Sequence, residues 1–203
     1  MKLYYSAGAC SLAVRIVANE AAIALDTESV DLAVKTTASG ADYRQINPKA
    51  LVPALVLDDG SILTEGPVIM QYLADREPHT GLTPAFDTMA RYRLLEILGY
   101  LNSEIHKGYS PMFHAMSDEA RADRKALVQG KYLILEDMLK DSQWLLGDQF
   151  SVADAYLFTL TNWAPYLGVD LSAFTAVAAF QQRVATRPKV QAALEAEGLA
   201  ATA

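Results

Sequence analysis

What most constrains this chain is the point at which strand-like patterning stops. Up to residue 77, short β-branched and aromatic runs alternate with helical periods. After Glu77-Pro78-His79-Thr80-Gly81-Leu82-Thr83-Pro84-Ala85-Phe86, only helical periods recur. Two prolines and a glycine without any periodicity mark residues 78–86 as a linker. The pattern predicts a mixed α/β domain over residues 1–77 and an all-helical domain over 87–203.

In the first domain, Lys2-Leu3-Tyr4-Tyr5 reads as a strand, residues 9–24 as a helix and Thr27-Glu28-Ser29-Val30-Asp31 as a second strand. That is a βαβ unit, expected to be right-handed. Within the helix, Ser11, Arg15 and Asn19 recur every four positions, so one narrow polar stripe is predicted to meet water while the rest packs on a sheet. Val52 to Leu57, the turn Asp58-Asp59-Gly60 and Ser61 to Thr64 read as a hairpin. Glu65-Gly66-Pro67 then opens a helix that continues to about Asp75, proline being well tolerated in a first turn. The order is βαβ followed by ββα.

Beyond the linker, helical segments are predicted over 87–115, 119–141, 152–166, 172–186 and 188–197. Leu94, Leu98, Leu101 and Ile105 form a seam for a neighbouring helix, in this chain or in another subunit. Ser151-Val152-Ala153-Asp154 places a hydroxyl at an N-cap and a carboxylate three residues on, a variant of the capping box with a structural role. The alanine-rich tail after Gly198 is expected to fray.

Composition removes several functional classes. A single cysteine excludes a disulfide scaffold and a cysteine-rich zinc site, and His79, His106 and His114 show no ligand spacing, so no metal is implied. A net charge of −7 lacks the basic footprint that phosphate backbones require, so no nucleic acid partner is expected. No run of about 18 uncharged apolar residues occurs, and the N-terminus has no extended apolar stretch, which predicts no membrane partner and a cytoplasmic location.

The lone cysteine, Cys10, falls in Tyr4-Tyr5-Ser6-Ala7-Gly8-Ala9-Cys10-Ser11-Leu12, where the first strand gives way to the helix. Unpaired N–H groups and the positive end of the helix dipole favour a thiolate there. The bland alternative is a small buried hydrophobe. Any disulfide Cys10 forms is with an external thiol or another subunit, and glutathione is the obvious external thiol. On the long helix, Gly99, Ser103 and His106 fall at i, i+4 and i+7, a small and polar strip suited to a wet pocket.

A βαβ-ββα domain with a reactive group at its first helix, followed by an all-helical domain, resembles the cytosolic glutathione transferases, and most closely the bacterial Beta class. The resemblance is carried by Met1-Lys2-Leu3-Tyr4-Tyr5, Gly8-Ala9-Cys10-Ser11-Leu12, Ile46-Asn47-Pro48-Lys49, Val52-Pro53, Leu63-Thr64-Glu65-Gly66, His106-Lys107-Gly108-Tyr109-Ser110-Pro111 and Val152-Ala153-Asp154-Ala155-Tyr156-Leu157-Phe158. Each motif is weak, but their order and spacing over about 160 residues are specific.

The resemblance implies a thioredoxin-like N-terminal domain that binds glutathione as co-substrate, and a helical domain that takes a small hydrophobic electrophile and makes contacts in a homodimer. It implies a cis Val52–Pro53 bond, where base rates alone predict trans, with the Val52 backbone pairing with the cysteinyl part of glutathione. Glu65 and Gly66 correspond to the γ-glutamyl site, Glu65 taking the ammonium and the helix N-terminus the carboxylate. Read locally, they are equally an acidic first-turn residue and a cap. Lys35 corresponds to the lysine that pairs with the glycyl carboxylate, although most loop lysines are only solvated. Cys10, His106 and Lys107 correspond to residues near the sulfur, and Ser103 and Glu104 to positions that reach glutathione, in part from the neighbouring subunit.

Position 99, typically Asn in the family, is Gly99, which implies close packing or a more open pocket. Tyr109, Met112, Phe113, Trp163 and Tyr166 are candidates for an apolar electrophile pocket and equally ordinary core residues. Three functions follow in order: conjugation, thiol–disulfide exchange through a Cys10 mixed disulfide, and non-catalytic carriage of glutathione or apolar ligands.

Overall fold

The computed structural model describes residues 1–199. They form two compact units, one of Met1–Leu82 with the chain from Arg187 onward, the other of Thr83–Thr186. The units therefore divide differently from the domains read in the sequence. The last helix belongs with the α/β unit, and the tail expected to fray after Gly198 falls largely on residues 200–203, outside the described residues.

The first unit contains β1 (Lys2–Tyr5), α1 (Ser11–Glu20), β2 (Asp26–Asp31), β3 (Thr36–Thr37), a 3-10 turn at Tyr43–Gln45, β4 (Ala54–Val56), β5 (Ile62–Thr64) and α2 (Gly66–Arg76). The strands make one sheet in the order β3-β2-β1-β4-β5. β1 is central, parallel to β2 and antiparallel to β4, with Leu3 opposite both Thr27 and Leu55. The pleat sends Leu3 and Tyr4 to opposite faces, and both are buried, so the central strand is covered on both sides. Tyr4 belongs to a core with Val30, Tyr43, Val52 and Ala54. α1 packs on α2, burying Leu12, Ile16 and Val17 against a helix that buries Ile69, Met70 and Leu73. Each such aliphatic side chain contributes about 1.5–3 kcal/mol.

The polar stripe of α1 is only partly open to water, with Ser11 buried and Arg15 and Asn19 half-buried. It is covered by the unit's last helix, Pro188–Ala196, the ninth α-helix of the chain (α9). Ser11 is buried, Arg15 pairs with Glu197 just beyond α9, and Asn19 donates to the Lys189 carbonyl at 3.1 Å. A polar stripe has the same period whether its partner is water or a helix some 170 residues away, so the period alone does not separate the two.

The second unit begins with α3 (Met89–Tyr100), N-capped by the Thr88 hydroxyl. The single helix predicted over 87–115 is instead a succession. α3 widens into a π-helical turn at Leu101–His106, tightens again as the short α4 (Lys107–Tyr109), and ends in a 3-10 turn at Ser110–Phe113. Pro111, which has no N–H to donate, accompanies that ending. The seam residues Leu94, Leu98, Leu101 and Ile105 are all buried. There follow α5 (Asp118–Leu139), α6 (Val152–Thr161), α7 (Trp163–Leu167) and α8 (Thr175–Ala185). All ten residues of α6 are buried. It starts at the predicted capping box, where the Ser151 N–H and hydroxyl both donate to Asp154 Oδ2, at 2.8 and 2.7 Å.

Candidate functional site

In the first unit the segment that carries Cys10 is built where β1 turns into α1. Gly8 takes a left-handed backbone, φ +72°, which a side chain would disfavour. Its N–H donates to Glu197 Oε2 at 2.9 Å, and Arg15 Nε donates to Glu197 Oε1 at 3.0 Å. Burial pushes the Glu197 carboxyl up, against these two donors. Ser11 closes the loop from the other side, its hydroxyl accepting from the Ser6 N–H and donating to the Ser6 carbonyl. Cys10, half-buried, occupies the N-cap of α1 without capping it. Its Sγ lies 3.4 Å from the Val52 carbonyl, to which it donates.

The Val52–Pro53 bond is cis, as the resemblance implied. Val52 itself is anchored in the core under Tyr4 and Tyr43, so its carbonyl is held on a rigid base. Glu65 precedes α2 with a left-handed backbone, φ +71°, and makes no side-chain cap. Its Oε1 instead accepts from Lys49 Nζ at 2.6 Å. Lys35 is likewise left-handed, φ +62°, with Nζ donating to the Ala50 carbonyl at 3.1 Å. Non-glycine residues held in this region cost about 1–3 kcal/mol each, and such strain concentrates at ligand sites. Two of the five predicted binding residues of this unit carry it. Gly66 opens α2, where a Cβ would make only ordinary contact with Pro53 Cγ at 3.7 Å, so space alone does not require glycine. A carbonyl beside a thiol, an acid at a helix N-terminus and a loop lysine together suit an extended peptide with a charge at each end.

In the second unit Ser103, Glu104, His106 and Lys107 lie along the π-helical turn and the residue after it. Lys107 is exposed and His106 half-buried. Glu104 is engaged by Lys131 of α5 at 2.6 Å, which lowers its carboxyl pKa, and Ser103 donates to it weakly at 3.4 Å. The His106 ring packs edge-on against Trp163 at 5.1 Å and Tyr156 at 6.0 Å, and its Nδ1 lies 2.7 Å from the Tyr156 hydroxyl.

The five candidate electrophile-pocket residues divide. Tyr109 and Met112 are core residues; the Tyr109 hydroxyl donates to Tyr132, which bonds Thr161, and burial raises both phenols. Trp163 is buried but meets Phe113 at 5.2 Å, and Phe113 stacks on Tyr166 at 6.4 Å. Phe113 and Tyr166 are 46% and 81% exposed, so this pair is the part of the cluster open to a ligand.

Sequence reading missed Lys49, Glu197, Asn102 and Tyr156. Lys49 and Tyr156 stand inside quoted motifs, but neither spacing nor periodicity says which side chain a long flexible amine or a buried phenol meets. The i, i+4 spacing of Asn102 and His106 was the one available signal.

Residues 7–76 match the family model described as glutathione S-transferase, N-terminal domain, and residues 100–188 match the one described as glutathione S-transferase, C-terminal domain. The chain is 45% identical to glutathione S-transferase GstA of Escherichia coli O157:H7, with 98% of this chain and all of that protein covered. It resembles a sphingomonad glutathione S-transferase complexed with glutathione at TM-score 0.94 and 45% identity. A bacterial beta class glutathione S-transferase of Sphingomonas chungbukensis is similar at TM-score 0.95 and 44% identity. Each comparison covers 98% of this chain and 100% of the other.

Proposed function

Because this chain belongs to the glutathione S-transferase family and its structural neighbours include bacterial beta-class members, we propose that it conjugates reduced glutathione to small hydrophobic electrophiles. The observation that carries this reading is the Val52 carbonyl, fixed on the core and 3.4 Å from Cys10 Sγ. It offers the cysteinyl part of glutathione a main-chain partner beside a thiol. Glu65 and the first N–H groups of α2 take the γ-glutamyl ammonium and carboxylate, Lys49 sharing Glu65. Lys35 takes the glycyl carboxylate, exchanging its bond to the Ala50 carbonyl for a charged partner.

The helical unit supplies His106 and Lys107 as polar and cationic groups, Ser103 and Glu104 as further glutathione contacts, and the exposed Phe113–Tyr166 stack for the electrophile. In the reaction the glutathione thiolate attacks an electrophilic carbon, the C–S bond forms, and the leaving group departs with its electron pair. The thiol proton passes to solvent or to a neighbouring base. A cytoplasmic homodimer is the assembly this reading expects.

Wild-type protein is expected to bind immobilised glutathione and to conjugate a chloronitrobenzene, releasing chloride. Failure to bind would leave only the carrier reading and abandon both enzymatic ones. A second reading rests on the position of Cys10, the sole and half-buried thiol. Its thiolate attacks glutathione disulfide, forming a mixed disulfide and releasing one glutathione thiolate. An intact mass increased by one glutathione and restored by reductant reports this. Conjugation that survives Cys10→Ser while disulfide reduction disappears assigns the cysteine to redox chemistry.

A further inference from the structure

The geometry points to Tyr156 as the residue that decides which ring nitrogen of His106 carries the proton, and so as a positioning residue for the reaction. The tautomer assignment stands on the helical unit alone; its use in catalysis rests on the transferase reading above.

The Tyr156 hydroxyl lies 2.7 Å from His106 Nδ1 and 3.0 Å from Asn102 Oδ1. An amide oxygen only accepts, so the single phenolic proton is committed to Asn102. The hydroxyl oxygen then meets Nδ1 with a lone pair, and the bond between them requires the proton on Nδ1. Running the chain in the opposite direction would need the Asn102 amide nitrogen where its oxygen stands. The neutral His106 ring therefore carries Nδ1–H and keeps its lone pair on Nε2. A neutral histidine in water mostly prefers the reverse.

The surroundings hold this arrangement rigidly. Tyr156 is 1% exposed in the wholly buried helix α6, and the His106 ring is flanked edge-on by Trp163. Asn102 and His106 are four residues apart in the π-helical turn, so one hydroxyl serves both. Turns of this kind recur at functional sites. With Nδ1 committed, Nε2 is the nitrogen that accepts a thiol proton, and in the imidazolium it is the one that donates to a thiolate.

The test is 15N NMR of the histidine-labelled full chain at alkaline pH, with the His106 signals assigned by their loss in His106→Asn. The proton is expected on Nδ1 in the wild type. Asn102→Asp keeps an acceptor of the same shape and is expected to preserve that tautomer. Asn102→Leu removes the acceptor, so the phenolic proton turns toward Nδ1 and the ring proton moves to Nε2. Tyr156→Phe, which keeps the aromatic ring in the core, is expected to give Nε2–H as well. An Nε2–H ring in the wild type, or Nδ1–H persisting in Tyr156→Phe, overturns the assignment.

Tyr156→Phe is also expected to lower kcat for conjugation about tenfold, leaving KM for glutathione within about twofold. An unchanged kcat overturns the positioning role. A wild-type chain that neither binds nor conjugates glutathione would defeat the transferase reading while the tautomer result stood.

Discussion

The two units hold their candidate groups by different means. In the α/β unit they sit on loops or at helix starts and are set by main chain: Gly8, Lys35 and Glu65 in left-handed conformations, Cys10 against the Val52 carbonyl. Each such segment is tied from outside its own element, Gly8 by Glu197, Lys35 by Ala50 and Glu65 by Lys49. In the helical unit His106 stands on a continuous helical backbone, and side chains set its ring, Tyr156 through its hydroxyl and Trp163 edge-on. A loop has no periodic hydrogen bonds of its own and must be fastened by distant partners, whereas a helix satisfies its own main chain and leaves side-chain contacts to set a rotamer and a tautomer.

The largest effect is expected where a distant partner is removed. The side chains of Glu197 and Arg15 are 0% and 11% exposed, and the guanidinium also lies 4.4 Å over the Tyr5 ring. Glu197→Ala strips the charge from one side of a buried pair and leaves the Gly8 N–H without its acceptor. The expected loss is about 3–5 kcal/mol, read from the urea midpoint, and Cys10 is expected to alkylate faster as its loop loosens. The His106 tautomer should not change. Equal loosening of Cys10 and His106 would break the distinction between the units.

A smaller effect is expected at Asp154, which fastens the start of α6. It accepts from the Leu145 N–H at 2.8 Å and from both the N–H and hydroxyl of Ser151. Burial nevertheless pushes its carboxyl up to about 6 from an ordinary 3.8. The folded state therefore binds this proton more tightly than the unfolded chain. Its contribution to stability is full below about pH 4 and is lost as the pH rises through about 6. Asp154→Asn is expected to cost about 2 kcal/mol near pH 4, with the gap to wild type narrowing toward neutrality. A gap that widens toward neutral pH would show that the three donors outweigh burial. That result would sharpen the contrast between the units, because a carboxylate would then stabilise α6 by its charge.

The sequence disclosed what lies close along the chain. The βαβ-ββα order, the seam Leu94-Leu98-Leu101-Ile105 and the Ser151–Asp154 box are local patterns, and each is found in the structure. What it concealed depends on long-range approach. Arg15 and Asn19 satisfy a polar period equally well facing water or α9, and Tyr156 lies 50 residues from the ring it touches. The π-helical turn was hidden for another reason: it inserts no glycine or proline, so 101–106 reads as uninterrupted α-helix. The cis Val52–Pro53 bond came from resemblance, since base rates favour trans.

The smallest effect expected is at Gly99, on α3 about two turns before His106. A Cβ there would meet nothing within 4 Å, and the residue is exposed in this chain. Close packing therefore does not explain the glycine. Its backbone takes no positive φ either, which removes the conformational reason. Gly99→Ala is expected to raise stability by about 0.5–1 kcal/mol, since alanine fixes the unfolded chain at less entropic cost and adds no clash. Thermal unfolding measures this as a rise in midpoint. Gly99→Asn tests the departure from the family pattern: it gains less stability than alanine because of its poorer helix propensity, and a lower KM for glutathione without a change in kcat would show that the missing side chain cost only binding. If both variants lose stability, the space at Gly99 is filled in the assembled protein, and the helical unit too relies on a partner from outside its own element.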